Sequence, residues 1–342
     1  MIKFSQYLLL EGGAGGRIPH PYEVVKTGEE LIELFKNSIN YINKDMSSLK
    51  LDGINVSIKS TKDGFALDRG SSKELDIKGV RPEDLTTRFE EGHGLIQIGK
   101  EILDIFDKSF IRINPELDAL GLLNNPNRLL NIEYIDGKTN VIPYSDHKKF
   151  IIIHGVKEWV PKNVDKETGK MKSREFTDIE PDQKVLDSLQ KKVQVIANKM
   201  NYDVIGMVGV ELKKQPNLDK VLSSRVSFNL ESRQLSAWLV DLQIPKHIMP
   251  RQEYIDLMKN SSKIPEAKLA DVITYYATIA IGDEIKKNIK PEKFNDTNTQ
   301  EGIVVHDPDY GRYKITGSFI IDGMKSEFNK EKIAVRDDDP NK

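Results

Sequence analysis

Residues 50–59, Lys-Leu-Asp-Gly-Ile-Asn-Val-Ser-Ile-Lys, are the stretch that decides the fold prediction for this chain. After the glycine, apolar and polar residues alternate strictly, which is the period-two pattern of a half-buried β-strand. The apolar members are Ile54, Val56 and Ile58, and the polar members are Asn55, Ser57 and Lys59. The segment therefore predicts a strand with one face on the core and one face toward solvent.

Lys50 opens this strand and gives the segment its chemical interest. Side chains two residues apart in an extended chain point the same way, so the Lys50 amine and the Asp52 carboxylate share one side. Gly53 lets another backbone or a ligand approach closely. A lysine in this position is a candidate nucleophile toward phosphorus, provided that its amine, which ordinarily titrates near ~10.4, loses its proton. The structural alternative is a turn with a solvated lysine.

The hairpin signal Asp63-Gly64 follows, and it predicts that the chain turns back into a second strand over residues 65–68, which ends beside Arg69. Three later strand-like segments also carry charged residues: Leu130–Tyr134 with Glu133, Glu301–Val305, and Arg312–Ile315 with Lys314. Cations on one strand face lower the pKa of a nearby lysine and neutralise charge that develops on a phosphate. A carboxylate such as that of Glu301 is a hard oxygen ligand of the kind that Mg²⁺ prefers.

In this order, Lys-x-Asp-Gly, a strand glutamate, Glu-Gly-apolar-apolar and basic-x-Lys, the chain resembles the covalent nucleotidyltransferase superfamily of ATP-dependent DNA ligases, RNA ligases and mRNA capping enzymes. The resemblance implies an α+β fold, a nucleotidyltransferase (adenylation) domain of two packed antiparallel sheets with flanking helices. It also implies an enzyme that uses ATP and Mg²⁺ and forms a covalent lysyl-AMP intermediate. Only 28 residues follow Lys314 (342 minus 314), so no C-terminal OB domain is expected.

The resemblance assigns a role to each matching residue. The catalytic residues would be Lys50, Asp52 and Lys314, the nucleotide-binding residues Lys50, Asn55, Arg69, Glu133, Arg312 and Lys314, and the metal ligand Glu301. Because Asp52 favours the charged amine, it fits a later step or a magnesium contact better than activation of the lysine. The alternatives are solvent-facing strand-end carboxylates and, for Arg69, a surface arginine of the hairpin.

The chain departs from the family pattern in two places. His306 stands where the family usually has a basic residue closing the Glu-Gly-apolar motif, and a histidine is neutral over part of the physiological pH range. The spacing from Glu301 to Arg312 is also compact, and this makes the assignment of Arg312 and Lys314 weaker than that of Lys50.

Asn55 directs the choice within the superfamily. DNA ligases and capping enzymes usually have arginine at this position of the motif, whereas asparagine resembles phage RNA ligases, although those often carry histidine where this chain has Asp52. The expected activity is therefore an ATP-dependent RNA ligase that passes AMP to a 5′-phosphate and seals that end to a 3′-hydroxyl. The alternatives left open are a DNA ligase or other adenylyltransferase, and a non-catalytic virion-associated module that keeps the fold.

The expected organisation is a flexible N-terminal arm at residues 1–26, a nucleotidyltransferase domain at 27–325 with a family-specific insertion around 160–290, and a polar tail at 326–342. Hydrophobic periodicity predicts the secondary structure inside it. Helices are predicted after the capping-box residues Thr27 and Glu30, at 94–107, at 185–200 and at 267–289, strands at 129–135 and 150–154, and an exposed loop at 162–182.

Composition excludes several classes of protein. The chain has no cysteine, so disulfides, thiol chemistry and thiolate zinc sites are ruled out, and its six histidines show no close helical pairing. No N-terminal apolar run is long enough for a signal peptide or membrane span, so a cytoplasmic location is expected, in the host cytoplasm if a phage encodes it. The protein is also expected to be a monomer. A net charge of −2 excludes coating of nucleic acid by bulk electrostatics but leaves room for a local groove. RNA is the expected nucleic-acid partner, ahead of DNA.

Overall fold

The computed structural model describes residues 18–25, 28–51, 53–89, 91, 93–123, 125–135, 149–165, 167–219, 279–291 and 300–319. Within these ranges the chain divides into two compact units. The first unit contains the described residues from 53 to 207, and the second unit contains residues 18–51 together with the described residues from 208 onward. The fold class is α+β with antiparallel sheets and a few helices, as the sequence predicts.

The helices are α1 (Pro21–Val24), α2 (Gly28–Tyr41), α3 (Glu74–Lys78), α4 (Leu85–Arg88), α5 (Gly94–Ala119), α6 (Gln183–Ala197) and α7 (residues 279–288). Short 3₁₀ turns occupy Pro82–Asp84 and Asn198–Met200. The strands are β1 (Ser47–Leu51), β2 (Ile54–Thr61), β3 (Gly64–Asp68), β4 (Arg128–Ile135), β5 (Lys149–Val164), β6 (Met171–Ile179), β7 (Tyr202–Gly206), β8 (Val210–Leu212), β9 (Ile289–Pro291), β10 (Gln300–Asp307) and β11 (Gly311–Ile315).

A six-stranded sheet forms the centre of the first unit. Its strands follow the order β3-β2-β4-β5-β6 with antiparallel neighbours, and β7 joins β5 in parallel after the crossover helix α6. One face of the sheet packs its alternate apolar residues, such as Val56 and Ile132, against α5 and α6. Burial of each such side chain contributes roughly 1.5–3 kcal/mol, which makes this face the main core of the unit.

The β2–β3 hairpin confirms the turn signal in the sequence. Lys62 and Asp63 form the turn, and Gly64 follows with φ +118°, a left-handed conformation that favours glycine. The alternation along β2 is confirmed, since Val56 and Ile58 lie in the core. The prediction of a half-buried strand is wrong, because the polar face is buried as well: Ser57 is 0% and Lys59 is 1% exposed. Partners from distant segments satisfy these polar groups, and the strand pattern alone does not reveal them.

The long helix α5 begins where the sequence predicts and ends twelve residues later than predicted, at Ala119 rather than residue 107. Ile113 and Leu117 continue the buried stripe and keep the helix on the sheet. Pro115 lies inside the helix, and its ring removes the hydrogen bond to the carbonyl of Ile111, a residue that is 89% exposed. Ile111 and Pro115 both lie on the exposed side of the helix, and the helix continues past the proline to Ala119.

Residues 162–182 do not form the exposed loop that the sequence predicts. β5 extends to Val164, well past the predicted end at 154, and it forms a long hairpin with β6. Trp159 pairs with Phe176 across this hairpin, and the buried guanidinium of Arg174 lies 4.9 Å from the centre of the Trp159 ring. The buried residue of β6 is thus a long charged side chain, Arg174, rather than an aliphatic one. For this reason hydrophobic alternation does not identify β6 as a strand.

The second unit contains a three-stranded antiparallel sheet of order β1-β10-β11 and the two-stranded sheet β8-β9. Helix α2 contacts β10 and buries Leu34 and Phe35, so the amphipathic helix predicted after the capping box is confirmed, while Thr27 itself lies outside the described residues. Helix α7 confirms part of the helix predicted at 267–289. It ends at residue 288, where β9 begins, and residues 267–278 lie outside the described part of the chain.

Within the described ranges no helix is both long and apolar enough to cross a bilayer.

Candidate functional site

The sheet of the second unit brings together three of the residues that the sequence marks as functional. The amine of Lys50 on β1 lies 2.9 Å from Oε2 of Glu301 on β10, and the amine of Lys314 on β11 lies 3.7 Å from Oε1 of the same carboxylate. Lys50 also donates a hydrogen bond of 2.8 Å to the Leu51 carbonyl. Lys314 and Glu301 are buried, whereas the side chain of Lys50 retains 19% exposure. We call Lys50, Glu301 and Lys314 the lysine cluster.

A β-bulge aims Glu301 at the two lysines. Lys50 pairs with Gly302, but the next residue, Leu51, pairs with Gln300, so Glu301 is an extra residue on β10 opposite a single step of β1. In a regular ladder, residue 301 would share a face with residues 303 and 305, and residue 302 would share a face with Lys50. A bulge redirects one side chain, and here it puts the carboxylate on the face of Lys50.

Arg312 lies on the same face of β11 as Lys314, two residues away, and it pairs with His306 across the β10–β11 ladder. The prediction that one strand face carries both cations is therefore confirmed. His306 takes up the position opposite Arg312, and its backbone N–H donates to the carbonyl of Met46.

Gly302 permits the close approach of β10 and β11 at the lysine cluster. A Cβ at this position would lie 2.1 Å from the carbonyl oxygen of Ile315 and 2.8 Å from Cα of Thr316, both of them backbone atoms. No real Cβ contact is that short, so any side chain here forces the two strands apart. The glycine of the Glu-Gly-apolar motif is therefore required by strand packing.

We expect Gly302→Ala to reduce the free energy of unfolding by about 3 kcal/mol, because the methyl group displaces backbone rather than a flexible side chain. Urea denaturation followed by circular dichroism measures the change. Gly206→Ala is the matched control, since its Cβ would meet only the tip of the Gln190 side chain at 3.1 Å. Equal losses in the two variants would contradict the steric account of Gly302.

The first unit holds three further predicted residues, Asn55, Arg69 and Glu133, and together with His154 we call them the glutamate cluster. Asn55 on β2 is directly opposite Glu133 on β4, and the guanidinium of Arg69 donates to the backbone carbonyl of Asn55. Oε2 of Glu133 lies 2.9 Å from Nε2 of His154 on β5. The remaining predicted residue, Asp52, lies outside the described residues.

Gly53, the glycine of the Lys-x-Asp-Gly motif, makes room for Glu133. A Cβ on Gly53 would lie 2.6 Å from Cγ of Glu133 and 2.8 Å from the carbonyl oxygen of Tyr134. The sequence predicts close approach at this glycine, and the structure shows that its neighbour is β4. Gly53 and His154 thus confine the Glu133 carboxylate from two directions.

A buried network of charges lies next to the glutamate cluster in sequence, and the strand pattern does not predict it. Both oxygens of Asp68 accept hydrogen bonds from Arg174, at 2.6 and 2.8 Å, and the Lys59 amine lies 3.2 Å from Oδ2. Burial lowers the pKa of Lys59, an effect that the Asp68 carboxylate opposes. The pKa of the neighbouring Arg69 is lowered by burial to about 10, so its guanidinium stays charged at neutral pH.

Asp76 is the second buried carboxylate of this network. It accepts hydrogen bonds of 3.0 and 2.8 Å from Arg88, and the hydroxyl of Ser71 also donates to it. Backbone carbonyls of Asp76 and Ile77 accept from the Lys59 amine. A buried charge is tolerated when it is paired and hydrogen-bonded, and the network meets that requirement on the polar face of the sheet.

His154 is the residue that the sequence missed. In the sequence, His154 is recognisable only as the polar residue that follows the apolar run of β5. Its partner, Glu133, is set by the register between β5 and β4, which the sequence does not predict. In the described part of the chain no group of three or more histidine, aspartate or glutamate side chains is arranged to hold a metal ion. Glu301 would therefore need other oxygen ligands, such as those of a triphosphate, to bind Mg²⁺.

The structure accordingly places Lys50, Glu301 and Lys314 in one cluster, with Arg312 on the same strand face as Lys314, and it places Asn55, Arg69 and Glu133 in another. Comparison of the chain with protein-family models, with curated proteins and with solved structures finds no match.

Proposed function

We propose that this protein is an ATP-dependent RNA ligase with a nucleotidyltransferase fold, and that it acts through a covalent AMP adduct on Lys50. The observation that carries the proposal is the lysine cluster, in which two amines more than 260 residues apart in sequence (314 minus 50 is 264) meet at one buried carboxylate. Such a concentration of charge on adjacent strands suits the binding of a triphosphate. Its residue types are those of the motif order Lys-x-Asp-Gly, Glu-Gly and basic-x-Lys.

The proposed reaction assigns a role to both lysines of the lysine cluster. The unprotonated Lys50 amine attacks the α-phosphorus of ATP, a P–N bond forms, the bond from the α-phosphorus to the bridging oxygen breaks, and pyrophosphate leaves with the electron pair. The proton of the amine passes to solvent. The Lys314 ammonium would stabilise negative charge on the α-phosphate oxygens in the transition state. Arg312, on the same face, would neutralise the triphosphate.

Magnesium would be held by the Glu301 carboxylate together with triphosphate oxygens, and when bound it would neutralise the phosphate charge. A carboxylate is the type of oxygen ligand that Mg²⁺ prefers. In the structure the two oxygens of Glu301 lie beside the ammonium groups of Lys50 and Lys314. By the resemblance, Glu133 and Arg69 of the glutamate cluster would contact the nucleotide sugar, and Asn55 lies in register beside Glu133.

Labelling with ATP tests the proposal. Incubation with α-labelled ATP and Mg²⁺ is expected to give a covalent, acid-labile AMP adduct, and peptide mapping should locate it on Lys50. α-Labelled GTP, used in parallel, is expected to give no adduct. A protein that binds ATP yet never forms an adduct would contradict the proposed enzyme.

The polynucleotide substrate is tested separately with nicked RNA, nicked DNA and single strands bearing a 5′-phosphate. RNA sealing is expected to be the fastest reaction, because Asn55 matches the RNA-ligase form of the motif. Adduct formation with sealing of DNA alone would indicate a DNA ligase. Adduct formation without sealing of any strand would indicate another adenylyltransferase.

One observation favours a non-catalytic alternative, a binding or virion-associated module that keeps the fold. The Lys50 amine is hydrogen-bonded to Glu301 and to the Leu51 carbonyl, as the ammonium group of a structural ion pair would be. A structural ion pair requires the positive charge of the lysine, whereas catalysis requires its nucleophilic nitrogen. Complete absence of the adduct in the wild-type protein would favour this alternative.

Glu301→Gln separates a metal-binding role from a simple ion pair. The amide keeps the shape of the side chain but is a poorer ligand for Mg²⁺, so we expect the Mg²⁺ concentration for half-maximal adduct formation to rise about tenfold. Titration of Mg²⁺ at fixed ATP measures this. If the variant shows the wild-type magnesium dependence, Glu301 is not the metal ligand and its role is limited to pairing with the lysines.

A further inference from the structure

The pair formed by Glu133 and His154 is the feature of the glutamate cluster that the motif pattern does not account for. Glu133 on β4 is directly opposite Ile152 on β5, and His154 lies two residues further along β5, as the extra residue of a β-bulge: Ile153 pairs with Ile132, and Gly155 pairs with Asn131. Diagonal neighbours of this kind are within reach of long side chains. The Nε2 to Oε2 distance of 2.9 Å is that of a good hydrogen bond.

The bond to His154 is one of the contacts that orient the carboxylate of Glu133. Its side chain is only 6% exposed, whereas the imidazole of His154 is 26% exposed and bridges the carboxylate toward solvent. A buried carboxylate is costly without donors, and the terminal torsion of a glutamate is broad and easily turned. Gly53 lies against one side of the Glu133 side chain, since a Cβ there would lie 2.9 Å from Oε1, and His154 holds the other carboxylate oxygen.

We infer that His154 is a positioning residue of the nucleotide site, which holds Glu133 so that its carboxylate accepts a hydrogen bond from a sugar hydroxyl. The inference rests on the proposed function. Each carboxylate oxygen has two lone pairs, so Glu133 can accept from His154 and from a ligand hydroxyl at the same time. Removal of His154 takes away one contact that holds the carboxylate, and the protein is expected to lose part of its preference for a nucleotide that has the hydroxyl.

The inference is tested by combining two variants with nucleotides that lack one hydroxyl. His154→Leu removes the donor at similar size, and His154→Gln keeps an N–H group near the position of Nε2. For ATP, 2′-deoxy-ATP and 3′-deoxy-ATP we would measure the dissociation constant by calorimetry and the KM and kcat of AMP-adduct formation.

His154→Leu is expected to weaken ATP binding and raise its KM about tenfold, with kcat within about twofold of wild type. For one of the two deoxy nucleotides the variant should bind as the wild type does, because the hydroxyl that Glu133 recognises is already missing. His154→Gln is expected to recover most of the preference for ATP. A merely structural role would weaken all three nucleotides equally and would not be rescued by glutamine.

The outcomes separate this inference from the proposed function. If the wild type forms the Lys50 adduct and His154→Leu changes all three nucleotides equally, or none of them, the inference is wrong and the function stands. If the wild type binds ATP and discriminates against a deoxy nucleotide without forming an adduct, calorimetry on the variants still decides the inference. If the wild type binds no ATP, both are overturned.

Discussion

Replacement of Lys50 by alanine is expected to abolish formation of the AMP adduct, with a loss of at least about 10³-fold in rate, because no other group takes over as the nucleophile. The exposed fraction of the Lys50 side chain is small and its partners are the Glu301 carboxylate and the Leu51 carbonyl. The folded state loses one ion pair, so circular dichroism and the urea midpoint should stay close to those of the wild type. Quantitative labelling with α-labelled ATP measures the effect.

Two matched variants show whether the loss is chemical. Lys50→Arg keeps a positive charge that can still pair with Glu301, but a guanidinium does not deprotonate and is no nucleophile. It is therefore expected to be as inactive as Lys50→Ala. Lys44→Ala removes a half-exposed lysine of the same unit, 4.0 Å from Glu211, and should label normally. Labelling of Lys50→Arg at the wild-type rate would mean that another residue carries the AMP.

Asp68→Ala is expected to reduce the free energy of unfolding by about 3–5 kcal/mol, the largest change in stability that we predict. Asp68 is fully buried and compensates two buried cations, Arg174 and Lys59. Removal of the carboxylate leaves both cations without their main counter-charge. Urea denaturation, followed by tryptophan fluorescence of Trp159 beside Arg174, measures the loss.

Two further variants test whether unpaired buried charge causes the loss of stability in Asp68→Ala. Lys59→Met removes one buried cation together with its desolvation cost, while the Asp68–Arg174 pair remains. The free energy of unfolding should therefore fall by less than half as much as in Asp68→Ala. Asp63→Ala, in the exposed turn of the same hairpin, should change the free energy of unfolding by less than about 0.5 kcal/mol. If Asp68→Ala unfolds at the same urea concentration as the wild type, the network contributes little to stability.

The amino-acid sequence by itself determined part of the local structure around the candidate site. The alternation after Gly53, the Asp63-Gly64 turn and the helices α2, α5 and α6 follow from the sequence, because period, turn chemistry and helix propensity act between near neighbours in the chain, although α5 runs past its predicted end. Lys50, which the sequence predicts at the start of β2, lies instead on the separate strand β1. The three other charged strands were also identified, since each combines a short apolar run with one or two charges. The same local reading placed Arg312 and Lys314 on one strand face, which β11 confirms.

Only the tertiary structure decided which of these charges meet. Glu301 reaches Lys50 because a bulge inserts one residue into β10, and His154 reaches Glu133 because of the register between β4 and β5. Lys59 is buried where Asp68 and backbone carbonyls accept from its amine, and β6 pairs with β5 while Arg174 packs against the rings of Trp159 and Phe176. Register, bulges and charge pairing depend on partners far away in the sequence, and hydrophobic periodicity carries no information about them.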